Sequence, residues 1–138
     1  MIITDDPEAI RRLLLGVKTI AVVGCSPKAD RDSHQIAEFL VSKGYDVIPV
    51  NPAVKEILGR TCYPDVKSIP QKVDLVNVFR APEHVPAIAD DAIQAKAEAL
   101  WLQSGIIHDA AAKKASDAGL YVVQDRCSRT LHTVLLRT

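Results

Sequence analysis

The residues best equipped for chemistry lie where a short apolar run gives way to a polar loop: Gly24-Cys25-Ser26-Pro27-Lys28-Ala29-Asp30-Arg31-Asp32-Ser33. Glycine at the end of such a run lets a ligand or another backbone approach closely. Ser26 offers a hydroxyl and a backbone N–H, and Lys28 and Arg31 add two cations. A helix following the loop would contribute unpaired N–H groups and the positive end of its dipole, which suits a phosphate. Each direct charged hydrogen bond from such groups is worth about 1.5–3 kcal/mol. Asp30 and Asp32 argue the other way, because they offset the cations and fit an ordinary solvated loop. The position of the loop after the first strand decides for a phosphate site.

The loop is not the G-x-G-x-x-G fingerprint, and Pro27 prevents a tight glycine turn. The next strand ends in Asn51-Pro52, where a NAD site would place Asp or Glu on the ribose hydroxyls. Both departures count against a dinucleotide. A neutral Asn51 imposes no charge against a phosphorylated ribose. Among the histidines, His34, His84 and His132 read as surface or capping residues. His108 is more interesting, because it follows the strand end Gln103-Ser104-Gly105 by a few residues. No Ser/His/Asp order or carboxylate pair marks a nucleophile system. Asp90-Asp91 reads as solvated, and Asp125-Arg126 as either an ion pair or part of a site. Cys25, Cys62 and Cys127 form no CxxC pair, so no metal site is expected.

These residues need elements to hold them. Asp6 can cap a first helix with Pro7 at its first position and Gly16 as a left-handed stop. Thr19 to Gly24 is a nearly continuous apolar run, as in strands covered on both faces. Ser33 can cap a helix through Lys43 that Gly44 ends, and Tyr45 to Val50 is the next strand, completing a βαβ unit. Leu58-Gly59-Arg60 and Tyr63-Pro64-Asp65 are turn signals around a short edge strand at Thr61 to Tyr63. Strands at Asp74–Phe79, Ala99–Gln103 and Tyr121–Val123 then alternate with helices at about Glu83–Lys96, Asp109–Ala118 and Ser128–Arg137. Trp101, mid-strand, should be core. The alternation predicts an α/β, three-layer Rossmann-like fold. Its parallel sheet should have at least five strands, ordered 3-2-1-4-5, with helices on both faces. In such a sheet ligands bind at the strands' carboxyl ends, which selects residues 24–33, 50–52, 79–82 and 103–105.

The 138 residues are expected to form one domain, 1–138. Lys plus Arg equals Asp plus Glu, 17 against 17, so no global field favours nucleic acid or an acidic membrane. No apolar run approaches the ~20 residues of a membrane span, and no basic n-region opens the chain. A soluble, cytoplasmic protein with free thiols is the expectation.

Six segments in order also resemble a known family. They are Val23–Lys28, Tyr45–Pro52, Cys62–Pro64, Val76–Arg80, Leu100–Ile106 and Val123–Cys127. Together they resemble the small bacterial and archaeal CoA-binding domain proteins, related to the nucleotide-binding domain of the succinyl-CoA synthetase α-subunit. The resemblance covers residues 8 to 135. It implies coenzyme A or an acyl-CoA as ligand, and CoA carries the 3′-phosphate that Asn51 would tolerate. It places Gly24, Ser26, Pro27, Lys28 and Arg31 around the diphosphate, and Val50, Asn51 and Pro52 on the adenosine side. Phe79, Arg80 and Pro82 would flank the pantetheine, and Gln103 and Gly105 would come from the neighbouring strand end. Cys25, where the family more often has alanine, would put a thiol beside the ligand. A helix N-terminus and cations would lower its pKa and favour a mixed disulfide with CoA. The synthetase carries its phosphorylated histidine on a second domain, for which this chain has no room. The leading reading is a CoA-binding module without a complete active site, a carrier, sensor or partner in acyl-CoA metabolism. An NAD(P)-binding oxidoreductase, an acyl-CoA ligase subunit completed by another chain, and a regulatory interaction protein remain alternatives.

Overall fold

The computed structural model describes residues 1–137. Seven strands and five α-helices follow one another from α1 (Pro7–Gly16), β1 (Thr19–Val23), α2 (Asp32–Ser42) and β2 (Asp46–Val50). The two-residue strands β3 (Glu56–Ile57) and β4 (Arg60–Thr61) come next, and then β5 (Leu75–Val78), α3 (Val85–Gln94), β6 (Ala99–Leu102), α4 (Asp109–Asp117), β7 (Tyr121–Val123) and α5 (Ser128–Leu135). Five strands form a parallel sheet in the order β2-β1-β5-β6-β7. Ile20 pairs with Val47 on one side and with Leu75 on the other.

The near-continuous apolar runs are explained by what covers the sheet. Ala21, Val23, Ile48 and Val50 face a cluster completed by Val85, Ala89 and Ala92 of α3 and Ala111, Ala112 and Ala115 of α4. Their neighbours Ile20, Val22 and Val47 face the opposite way, into a cluster with Ile10 and Leu14 of α1, Ile36 and Leu40 of α2, and Leu131 of α5. Successive strand residues point to opposite faces, so both sets must be apolar when helices lie on both sides. The result is the expected three-layer α/β architecture. Trp101 is fully buried, and its indole Nε1 donates to the Arg126 carbonyl at 2.8 Å.

The expected third strand is reduced to a single parallel bridge between Val50 and Tyr63, just after a separate antiparallel hairpin of β3 and β4. Two prolines limit that edge. The Pro49 carbonyl accepts from Tyr63 N at 3.1 Å, so the side of Pro49 that lacks an N–H faces the same edge, and Pro64 cannot extend the ladder. β7 extends the opposite edge. Local signals also meet two corrections. Asp6 does cap α1, accepting from Ala9 N at 3.1 Å, but Gly16 is not left-handed: the helix ends at Val17, which is extended. His132 is not a surface residue but is buried edge-on against Phe39 and Tyr45.

β1 runs to β2 on one side, and the chain then returns to β5 on the other. The carboxyl ends of β1 and β5 therefore diverge at a topological switch point, where an open α/β sheet offers a crevice.

Candidate functional site

At this switch point Gly24 turns the chain with a φ of +85°. A Cβ at Gly24 would lie 2.9 Å from Arg80 Cδ and 3.3 Å from the Phe79 backbone carbon. Glycine is thus what lets the ends of β1 and β5 close against each other. The N–H groups of Gly24 and Cys25 both donate to the Val50 carbonyl, at 2.9 and 3.3 Å.

Three side chains then fix the loop. Ser33 Oγ accepts from Ser26 N at 2.9 Å. His34 Nδ1 stands 2.9 Å from the Ser26 carbonyl, which can only accept, so Nδ1 carries the proton. Asn51 Nδ2 donates to the Cys25 carbonyl at 2.9 Å, while its Oδ1 accepts from Ala53 N at 2.8 Å. Ser33 was expected to cap α2. The helix instead starts two residues earlier, with Arg31 in the cap position and no side-chain cap bond, while the Ser33 hydroxyl is committed to the loop. The first N–H groups of α2 lack an intrahelical partner. Lys28 and Arg31 are exposed and form no ion pair among the described residues.

A cavity of about 870 Å³ opens over this loop, and Gly24, Ser26, Lys28, Arg31, Phe79 and Gln103 line it. A second cavity of about 200 Å³ shares Gly24 and is lined by Val50, Pro52 and Arg80. The larger volume is that of a small-molecule site. Of the residues expected at the site, Cys25, Pro27, Asn51, Pro82 and Gly105 line neither cavity. Asn51 shapes the loop from behind, and Gly105, at φ +81°, donates its N–H to Asp125 Oδ1 at 2.6 Å. Sequence reasoning missed Cys127 and Arg129, which line the larger cavity from the start of α5. The rule of strand carboxyl ends, applied to Tyr121–Val123 as to the other strands, would have found them.

The Cys25 thiol has the opposite character to the one expected. Its side chain points into the apolar cluster beneath α2 and is fully buried. Burial, with Cys62 nearby adding to it, pushes its pKa up to about 12. Cys127 is the half-exposed thiol. His108 proves to be a cap: its Nδ1 accepts from Ala111 N at 3.1 Å at the start of α4. Asp90 pairs with Lys114 at 2.6 Å, whereas Asp91 lines the smaller cavity, where burial raises its carboxyl pKa. Arg126 bonds Asp5 at 2.8 Å and lies 3.9 Å from Asp125, so that pair is structural.

A glycine turn, a helix start without a side-chain cap and two cations that form no ion pair among the described residues thus meet at the switch point. The model of the CoA-binding domain matches residues 18–133, which contain all of these features. The chain belongs to the CoA-binding domain family. It is 36% identical over 125 residues to the uncharacterized protein YneT of Bacillus subtilis, a match spanning 91% of this chain and 93% of that protein. A solved structure of a hypothetical protein from Pyrococcus horikoshii superposes with a TM-score of 0.92 at 42% identity, covering 94% of this chain and 92% of that one. An ADP-forming acetate–CoA ligase of Archaeoglobus fulgidus is 36% identical over 74 residues, 54% of this chain but only 11% of the ligase. No helix among the described residues is long and apolar enough to cross a membrane.

Proposed function

We propose that the protein is a CoA-binding module, holding the diphosphate of CoA or an acyl-CoA over the β1–α2 loop. The observation that carries this reading is the uncapped start of α2 facing the larger cavity beside Lys28 and Arg31, two cations without ion-pair partners among the described residues. Backbone N–H groups and a helix dipole favour an anion there, and the cations add charge. Ser26, pinned by Ser33 and His34, is the loop residue best held for a phosphate oxygen. The smaller cavity beside Val50, Pro52 and Arg80 suits the adenosine side. That moves Arg80 from the pantetheine to the nucleotide half of the site. Phe79, beside Gly24 at the end of β5, suits the pantetheine arm. His108 is committed to capping α4 and lines neither cavity. The likeness to a short stretch of an acetate–CoA ligase supports a role beside an acyl-transferring partner.

The test is titration calorimetry with CoA and NAD at one fixed salt concentration. CoA should bind more tightly than NAD. Lys28→Ala and Arg31→Ala should each weaken CoA by about 1–3 kcal/mol if they bond phosphate directly. Saturating CoA should also raise the melting temperature, since about 2.7 kcal/mol of stabilisation accompanies ligand at 100 times its dissociation constant. Tighter binding of NAD than of CoA overturns the reading.

A further inference from the structure

A polar cluster that the phosphate loop does not use lies beneath the far end of the larger cavity. Gln103, Asn77 and Ser128 are buried there, at the end of β6, in β5 and at the start of α5. Ser128 N–H can only donate, and it faces Gln103 Oε1 at 3.3 Å. Asn77 Nδ2 at 3.2 Å and Ser128 Oγ at 3.3 Å face the same oxygen. Asn77 is itself oriented, because its Nδ2 also meets the Trp101 carbonyl at 3.4 Å and its Oδ1 meets Ser128 Oγ at 2.8 Å. These neighbours fix the Gln103 amide with its oxygen turned inward. Every fully buried side-chain nitrogen or oxygen among the described residues has a partner. Gln103 Nε2 has none among them, so it lies on the small part of this side chain, 6% exposed, that lines the cavity. The nitrogen therefore keeps an unpartnered donor at the cavity wall, and the neighbours of Oε1 hold the amide in that orientation.

Beside it, α5 begins at Ser128, whose N–H is held by Gln103 Oε1, while the cap residue Cys127 makes no side-chain cap bond. Arg129 lines the same wall, its guanidinium 5.5 Å from the Phe39 ring centroid, and has no ion pair among the described residues. Asp30 and Asp32 also line the cavity, but they belong to the loop and helix on the β1 side. The β6–α5 wall is thus built of donors and a cation around a buried amide, which suits a carboxylate. We propose that Gln103 Nε2 and Arg129, with its backbone N–H in the first turn of α5, form a carboxylate subsite that reads a carboxyl group at the acyl end of a CoA thioester. This rests on the CoA reading: with the diphosphate over β1–α2, a ligand crossing the switch point brings its acyl end toward β6 and α5. The ligand class is a monothioester of a dicarboxylic acid.

Malonyl-CoA and propionyl-CoA differ by a carboxylate in place of a methyl group, so their affinities isolate the subsite. In the unmodified protein malonyl-CoA should bind at least about tenfold more tightly, roughly the value of one charge-assisted hydrogen bond. Gln103→Glu keeps an oxygen for Ser128 N–H but turns the cavity-facing donor into an acceptor. The malonyl-to-propionyl ratio should then fall below about threefold. Arg129→Ala, exposed and outside the buried cluster, should lower the same ratio and decides the matter if Gln103→Glu does not fold. Malonate titrated into the CoA-saturated protein distinguishes the free acid from the thioester as the source of the carboxylate. Equal affinities in the unmodified protein, or a ratio untouched by the substitutions that fold, overturn the subsite while leaving the CoA reading standing. Failure of both thioesters to bind removes both.

Discussion

Asn51→Asp separates two accounts of one residue. The sequence suggests that Asn51 spares a phosphorylated ribose the charge of an aspartate. In the structure its Nδ2 donates to the carbonyl of the fully buried Cys25 at 2.9 Å, and its Oδ1 accepts from Ala53 N at 2.8 Å. A carboxylate keeps the second bond but sets one oxygen against another at the first. Losing that hydrogen bond and leaving a buried carbonyl unpaired costs about 2–3 kcal/mol. At roughly 3–5 °C per kcal/mol for a chain of this length, the melting temperature should fall by about 6–15 °C without any ligand. Because the loop itself is disturbed, CoA and NAD should weaken together. Circular-dichroism melts at about pH 7 and about pH 4 supply a further check, since protonation near the ordinary carboxyl pKa restores a donor and should narrow the gap to the unmodified protein. An unchanged melting temperature combined with selective loss of CoA would refute this reasoning and return Asn51 to the ribose.

Gly24→Ala should cost about 1–2 kcal/mol for its left-handed backbone alone, and the new Cβ, 2.9 Å from Arg80 Cδ, must push that side chain out of the smaller cavity. Melting and CoA titration should both register the change, and an unaltered melting temperature would contradict the close approach of β1 and β5. Brief alkylation of the native protein followed by intact-mass analysis should add one label, at half-exposed Cys127. Labelling of Cys25, buried and with its pKa pushed up to about 12, would contradict the packing. His132, buried against Phe39 and Tyr45, has its pKa lowered by burial and then by Lys43. Its folded-state pKa lies below the unfolded value of about 6.5, so its contribution to stability is present above that pH and is lost as pH falls through the folded pKa. His132→Gln should therefore melt with a weaker dependence on pH between about 5 and about 7.5 than the unmodified protein, and identical slopes would argue against a buried neutral imidazole.

The sequence by itself determined the layers and the end of the sheet that carries the site. Runs such as Ile20-Ala21-Val22-Val23 are apolar at every position only when both faces are covered, so three layers and a parallel sheet follow from local pattern alone. The carboxyl-end rule then selects Gly24–Ser33 and Gln103 without coordinates. Tertiary structure decided what each polar side chain does there, because a hydrogen-bond partner distant in sequence has no local signature. Ser33 carries the signal of a helix cap, yet its hydroxyl meets Ser26 N seven residues back. Asn51 reads as a ligand contact until the Cys25 carbonyl, 26 residues away, is found against its Nδ2. Cys25 sits in a basic loop by sequence, but the left-handed turn at Gly24 breaks the strand alternation and its side chain enters the core on the α2 side, where desolvation raises the thiol pKa instead of lowering it. The orientation of the Gln103 amide is the furthest from local pattern: it is set by Ser128 and Asn77, 25 and 26 residues away along the chain, brought together only when α5 docks over the ends of β5 and β6.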